Sequence, residues 1–194
     1  MKRKIHREDI VKTGLDLMFL NGYHHTGVKE ITDSIDIPKG SFYNHFSSKE
    51  EFGLAVLQHY CDNGVQFHEK GLLQSKESPL TRMKAFYKGM IKGYVKDLDF
   101  KLGCVMGNFS QELGDTNERF RQVLDDEFNK CEHIIVQCLN EAKQSKEIDN
   151  NIDTKSMGAF ILNSWHGALV RMKSTANGKP LDDFYNLIFT QILV

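Results

Sequence analysis

Residues 22–50 decide the architecture. They contain Gly22-Tyr23-His24-His25-Thr26-Gly27-Val28-Lys29-Glu30-Ile31 and, after a short gap, Ile37-Pro38-Lys39-Gly40-Ser41-Phe42-Tyr43-Asn44-His45-Phe46-Ser47-Ser48-Lys49-Glu50. Val28, Ile31 and Ile35 fall at the i, i+3, i+7 spacing of a short helix over residues 28–35. Thr26 and Gly27 stand at its start, where capping residues belong. Asp36-Ile37 makes a tight turn. Pro38 opens a second short helix over residues 38–45, at a position where its missing N–H costs nothing. Two short helices joined by a tight turn form a helix-turn-helix. Ile37 and Phe42 face inward, which leaves Lys39, Ser41, Tyr43, Asn44 and His45 facing outward. These side chains suit phosphate oxygens and base edges in a major groove, and Gly40 admits close approach of the backbone to DNA. A plain three-helix bundle with a polar surface has the same spacing, so spacing alone leaves both readings open.

The pattern extends in both directions. A first helix over residues 7–21 carries Ile10, Val11, Leu15, Leu17, Met18 and Leu20, and Gly22 stops it. Ser47 and Ser48 cap a fourth helix that runs from residue 49 into the low seventies. Glu50 and Glu51 lie in its first turn, where the helix dipole favours them, and Phe52, Val56, Leu57 and Tyr60 form its buried stripe. Pro79 opens a helix to residue 98. A glycine-flanked segment covers 102–113, and Asp115-Thr116 caps a long helix to 146. Asp153 is the N-cap of a helix over 154–175, and a last helix spans 181–193. The fold class is all-α, with about nine helices.

Composition narrows the function. The 194 residues are 40% hydrophobic and 26% charged, an ordinary globular balance that argues against disorder. The net charge of −1 does not by itself announce a nucleic-acid binder. Lys2, Arg3, Lys4 and Arg7 do cluster at the N-terminus, as a phosphate-neutralising arm or a solvated tail. No apolar run approaches the roughly 20 residues of a membrane span, and no signal-peptide core opens the chain. A cytoplasmic location without membrane association is expected. Cys61, Cys104, Cys131 and Cys138 lack paired C-x-x-C spacing, so reduced thiols are expected. Cys131 and Cys138 share a helix face about 10 Å apart, too far to bridge, and are read as core, as is Cys61. Cys131 and His133 point to different faces, and His24-His25 has no ligand partner at suitable spacing. Neither a metal nor a cofactor is expected.

The run from Gly22 to Glu50, above all Lys39-Gly40-Ser41-Phe42-Tyr43-Asn44-His45-Phe46-Ser47-Ser48-Lys49-Glu50, resembles the DNA-binding region of TetR-type repressors over about residues 5–60. The resemblance implies a homodimer on a pseudo-palindromic double-stranded operator. A helix-turn-helix domain would cover residues 4–64, and a larger effector-binding and dimerisation domain 65–194. The last two helices would pair with those of the partner in a four-helix interface. By matching position, Lys39 and Ser41 open the recognition helix, Tyr43 and His45 bind phosphate and flank bases, Lys49 contacts phosphate, and Thr26 and Lys29 contribute from the supporting helix. Two positions depart from the family pattern. Asn44 replaces a His or Tyr and brings a side chain able to pair with adenine. Gly27 replaces a Ser or Thr cap.

The sensing part is less sharply written. Phe86, Tyr87, Met90, Tyr94, Met106, Phe109, Phe160, Asn163, Trp165 and His166 lie on amphipathic helices, where core packing and pocket lining look alike. Cys104, in Leu102-Gly103-Cys104-Val105-Met106, stands at the start of a short helix, whose dipole favours a reactive thiolate. The alternative is a small, inert, buried residue. Residues 103–121 and 165–173 resemble electrophile-sensing repressors of the N-ethylmaleimide reductase type. That resemblance implies that Cys104 is the sensing cysteine, that Lys173 lies nearby, and that quinones, aldehydes or hypochlorous acid react there. A reversible small-molecule effector is the other reading. A Cys104–His166 hydrolase lacks any supporting motif, and no phosphate-cradling glycine loop is present. A ligand carrier that no longer reads DNA is opposed by Lys39, Tyr43, His45 and Lys49.

Overall fold

The computed structural model describes residues 6–193. In chain order the α-helices are α1 (Arg7–Asn21), α2 (Val28–Ser34), α3 (Lys39–Tyr43), α4 (Lys49–Leu72), α5 (Pro79–Lys92), α6 (Val105–Leu113), α7 (Glu118–Gln144), α8 (Thr154–Thr175) and α9 (Lys179–Leu187). The fold is all-α. Two elements end differently from expectation: α5 passes into a π-helical turn, Gly93–Asp97, and α9 into another, Ile188–Ile192. Residues 6–63 with Val105–Leu124 make one compact unit, and Gly64–Cys104 with residues 125–193 make a second. Lys2, Arg3 and Lys4 of the basic arm lie outside the described residues.

In the first unit, Ile10, Met18, Ile31, Phe42, Phe52, Val56 and Leu57 are fully buried. α1 presses closely on α4: a Cβ on Gly14 would lie 2.1 Å from the Phe52 ring. The buried stripe of α1 is Ile10, Val11, Gly14 and Met18. Leu20, read as part of it, is 67% exposed, because two residues beyond Met18 is about 200° around the helix. Gly22 ends α1 with φ 83°, a conformation glycine adopts at little cost. Arg7 stacks its guanidinium 4.7 Å from the centre of the Phe46 ring. α7 begins at Glu118, and the cap is Asn117, whose Oδ1 accepts the Phe120 N–H at 3.2 Å. Asp115 and Thr116 belong to the preceding turn.

The second unit is built on an aromatic centre. Tyr87 packs 5.4 Å from Trp165 and 5.2 Å from Phe184, centre to centre. α7 and α8 approach closely at Gly158, where a Cβ would meet Val136 Cγ2 at 2.4 Å. Asp153 caps α8 by accepting from the Lys155 N–H at 3.1 Å. The start of α5 is tied down by Glu147, which accepts from the Ser78 hydroxyl at 2.7 Å and the Leu80 N–H at 3.1 Å. Buried Arg82 pairs with Glu141 and donates to the Ser75 and Glu77 carbonyls.

Candidate nucleic-acid interface and sensing region

α3 is oriented by what it buries. Phe42 is wholly inaccessible and packs 5.1 Å from Phe52 and 5.4 Å from Phe46. That anchor leaves Lys39, Gly40, Tyr43, Asn44 and His45 exposed and Ser41 half-buried. Lys39 Nζ lies 5.8 Å from the Tyr43 ring centre, so a cation and a phenol sit side by side. Nothing lies within 4 Å of a Cβ built on Gly40. The helix starts at Lys39, with Pro38 as its extended N-cap rather than its first helical residue. The turn before it is closed by the Ile37 N–H donating to the Thr32 carbonyl at 3.0 Å.

The supporting residues divide. Lys29 is exposed near the start of α2. Gly27 is the α2 N-cap and supplies no side-chain bond. Thr26 is fully buried, and its hydroxyl donates to the Gly22 carbonyl at 2.8 Å. It shapes the α1–α2 loop from inside. Lys49 is half-buried, with Nζ 4.6 Å from the Tyr23 ring centre and 3.3 Å from the His24 carbonyl. Burial pulls its pKa below the usual lysine value, opposed by the charge of Glu112.

Sequence reasoning missed the role of Glu112. From α6 its carboxylate accepts the backbone N–H groups of Tyr23 at 3.1 Å and His24 at 2.9 Å. Tyr23 packs edge-on to both Phe109 and Phe120, at 5.9 and 5.4 Å between ring centres. No local pattern marks such a pairing across nearly ninety residues.

The residues read as sensing fall in both units. Phe109 is fully buried in the first unit, against Tyr23 and Phe120. Phe86 and Trp165 are buried in the second unit, where Met90 and Tyr94 are half-buried against the same core. Tyr94 packs 6.0 Å from Trp165 and donates its hydroxyl to the Gly103 carbonyl at 2.8 Å. Cys104 is half-buried, one residue before α6. Burial pushes the Cys131 and Cys138 thiols up to about 11, so both stay protonated at neutral pH. His166 packs edge-on to Phe128 at 5.0 Å, and burial, aided by His68, pushes its pKa down to about 4. Lys173 is exposed in the last turn of α8. Phe160 is 45% exposed. Among the described residues no helix is long and apolar enough to cross a membrane, and no cluster of three or more His, Cys, Asp or Glu is placed to hold a metal.

Comparison with known proteins agrees with this geometry. Residues 10–56 match the family of bacterial regulatory proteins of the tetR type, and residues 79–188 match the tetracyclin repressor-like C-terminal domain. The chain is 32% identical to the HTH-type transcriptional repressor DhaR of Mycobacterium sp. (strain GP1), over all of this chain and 95% of that protein. It is 27% identical to the HTH-type transcriptional repressor NemR of Escherichia coli (strain K12), over 91% of this chain and 88% of NemR. The crystal structure of regulatory protein TetR from Rhodobacter sphaeroides superposes with a TM-score of 0.89 at 28% identity, covering 98% of this chain and all of that one. The chain belongs to the TetR family. It is accordingly a DNA-binding transcriptional regulator that acts on operator DNA as a dimer, and not an enzyme.

Proposed function

We propose that this regulator is a repressor that releases its operator when Cys104 reacts with an electrophile. The DNA-binding domain is residues 4–64 and the effector and dimerisation domain 65–194. Lys39, Gly40, Ser41, Tyr43, Asn44 and His45 face the major groove, flanked by Gly27, Lys29 and Lys49. The observation that carries the DNA reading is the fully buried Phe42, which turns the polar face of α3 outward. For Cys104 the support is its half-buried place just ahead of α6, together with likeness to NemR along most of the chain. Cys131 and Cys138, with raised thiol pKa values, are poor competitors for an electrophile. Phe86, Met90, Tyr94, Trp165, His166 and Lys173 surround or tune the sensing region, and Phe109 serves the α6 end of the response.

The dimer forms through α8 and α9. Phe160, Val170 and Leu187 on these helices are 45%, 60% and 44% exposed. A groove between the helices is lined by Gly167, Arg171, Phe184 and Leu187. Apolar side chains left bare in this way are what a second copy covers.

The test uses a duplex selected by the wild-type protein from a random-sequence pool. Binding is measured before and after a quinone or aldehyde, for wild type and Cys104→Ser. Loss of binding in wild type alone supports the thiol reading. Equal loss in both overturns Cys104 as the sensing thiol, and unchanged binding in both moves the search to a non-covalent ligand.

A further inference from the structure

α1 begins with a cation where helix electrostatics do not favour one. Arg7 is its first residue, at the positive end of the helix dipole. Glu8 and Asp9 in the same turn suit that end; Arg7 does not. Its side chain lies over Phe46 instead, with the guanidinium carbon 4.7 Å from the ring centre, inside cation–π range. Phe46 is 1% exposed and is held by Phe42 at 5.4 Å and Phe52 at 4.9 Å. The ring is a fixed platform, and the residue seated on it is exposed to solvent.

The place of the platform gives that cation a use. Phe46 directly follows His45, the last exposed residue of the polar run on α3, with the two rings 6.4 Å apart. Lys49 opens α4 three residues further on. Arg7 therefore stands at the corner between α3 and α4. A guanidinium carries five N–H donors in a planar fork, and among the described residues no hydrogen bond or ion pair takes those of Arg7. The acids beside it are engaged elsewhere. Glu8 pairs with Lys12 at 2.7 Å, Asp9 accepts the His6 N–H at 3.0 Å, and Glu51 accepts the Ser47 N–H at 2.7 Å. The hydrogen bonds from Ser47 do most to hold the Glu51 carboxyl below the usual range, and the Arg7 charge only adds to them.

We propose that Arg7 is a phosphate-binding residue of the operator complex, seated on Phe46 so that its free N–H edge meets the DNA backbone beside the bases that α3 faces. The ring takes one face of the guanidinium, and the fork at its edge matches two phosphate oxygens at once. The position is pre-set by the platform, so little side-chain freedom is lost on binding. A phosphate contact fixes register and carries no sequence information, so Arg7 strengthens binding to every duplex. α1 thereby joins α3 and α4 at the DNA. The inference deepens the DNA-binding reading above and rests on α3 as the DNA-facing helix.

Arg7→Gln keeps a long polar side chain and removes the charge. Affinity of the full-length dimer is titrated against salt, on the selected duplex and on one of unrelated sequence, and the thermal midpoint of each variant is read. Arg7→Gln should weaken both duplexes alike, about tenfold at about 0.1 M salt, and lower the salt slope by about 1 per half-site at an unchanged midpoint. Arg7→Lys keeps the charge and loses the fork, so its slope should stay while affinity falls less far. An unchanged slope and affinity for Arg7→Gln overturns the proposal. A lowered midpoint with an unchanged slope makes Arg7 a cover for Phe46 and overturns it as well. Lys39→Ala is measured in parallel. A lower slope there, with none for Arg7→Gln, rejects Arg7 alone and leaves α3 at the DNA; an unchanged slope in both rejects the DNA-facing reading itself.

Discussion

Glu112 holds His24 from two sides. Its carboxylate accepts the His24 backbone N–H at 2.9 Å, and its carbonyl oxygen lies 3.3 Å from the His24 ring Nε2. The same carboxylate accepts from Tyr23. It sits so near Gly22 that a Cβ there would meet Glu112 Oε1 at 2.6 Å. A residue late in α6 therefore fixes the loop that leads into α2. Glu112→Gln turns two charge-assisted bonds into one neutral acceptor and a misplaced donor, at about 1–3 kcal/mol. We expect faster amide exchange at Tyr23 and His24 and a several-fold loss of operator affinity; unchanged exchange at these two amides would refute the anchoring role.

Asn44 and Lys39 should separate by what their loss does to binding. Asn44→Ala is expected to cost about 1–3 kcal/mol on the best site and to relax base preference at one position of each half-site. Lys39→Ala should weaken binding to all sequences alike and lower the salt slope by about 1. Repeating site selection for Asn44→Ala, and a salt titration for Lys39→Ala, checks both. A uniform loss with Asn44→Ala would assign it to the phosphate backbone.

Gly27 is an N-cap with φ −90° and ψ 151°, and nothing lies within 4 Å of a Cβ added there. Serine fits that backbone, offers an acceptor to the α2 amides, and restricts the unfolded chain. Gly27→Ser is expected to raise stability by about 0.5 kcal/mol, read as a small upward shift of the thermal midpoint in calorimetry. A lower midpoint would mean that the open space is not available in the assembled dimer.

His166 gives a pH signature. It stays neutral in the folded protein down to about pH 4, whereas an unfolded histidine titrates near 6.5. Between those values the unfolded chain binds the extra proton, so stability falls as pH drops from 7 toward 4. His68, also held down by burial, acts with the same sign. His166→Gln should reduce the stability lost between pH 7 and 4.5 by about 2 kcal/mol. Identical pH profiles for variant and wild type would show that His166 is solvated when folded.

Val170 is the most exposed of the large apolar side chains on α8 and α9, at 60%. Val170→Glu places a charge in the proposed interface, so the dimer should weaken at least about tenfold. Sedimentation velocity should show monomer at micromolar concentration, and operator binding should fall with it, since one protomer reads one half-site. An intact dimer would move the interface elsewhere.

The helices and the character of the DNA-facing surface are legible in local pattern alone. Periodicity, Gly22, Asp153 and the Lys39–His45 run are local signals, and a helix is a local structure whose polar and apolar faces follow from its own spacing. The same local pattern turns Phe42 inward, because its side chain alone in α3 carries no polar atom to leave in water. Other features depend on partners far along the chain. Thr26 reads as a surface cap, yet it is buried because the loop folds back on Gly22. Phe109 reads like the other sensing aromatics, yet it packs beside Tyr23 because α6 joins the first unit. The left-handed backbone at 99–103 is written in no glycine pattern, since three of its four positive-φ residues are Asp99, Phe100 and Leu102. Tyr94 bonds the Phe100 N–H and the Gly103 carbonyl there, partners that no local pattern announces.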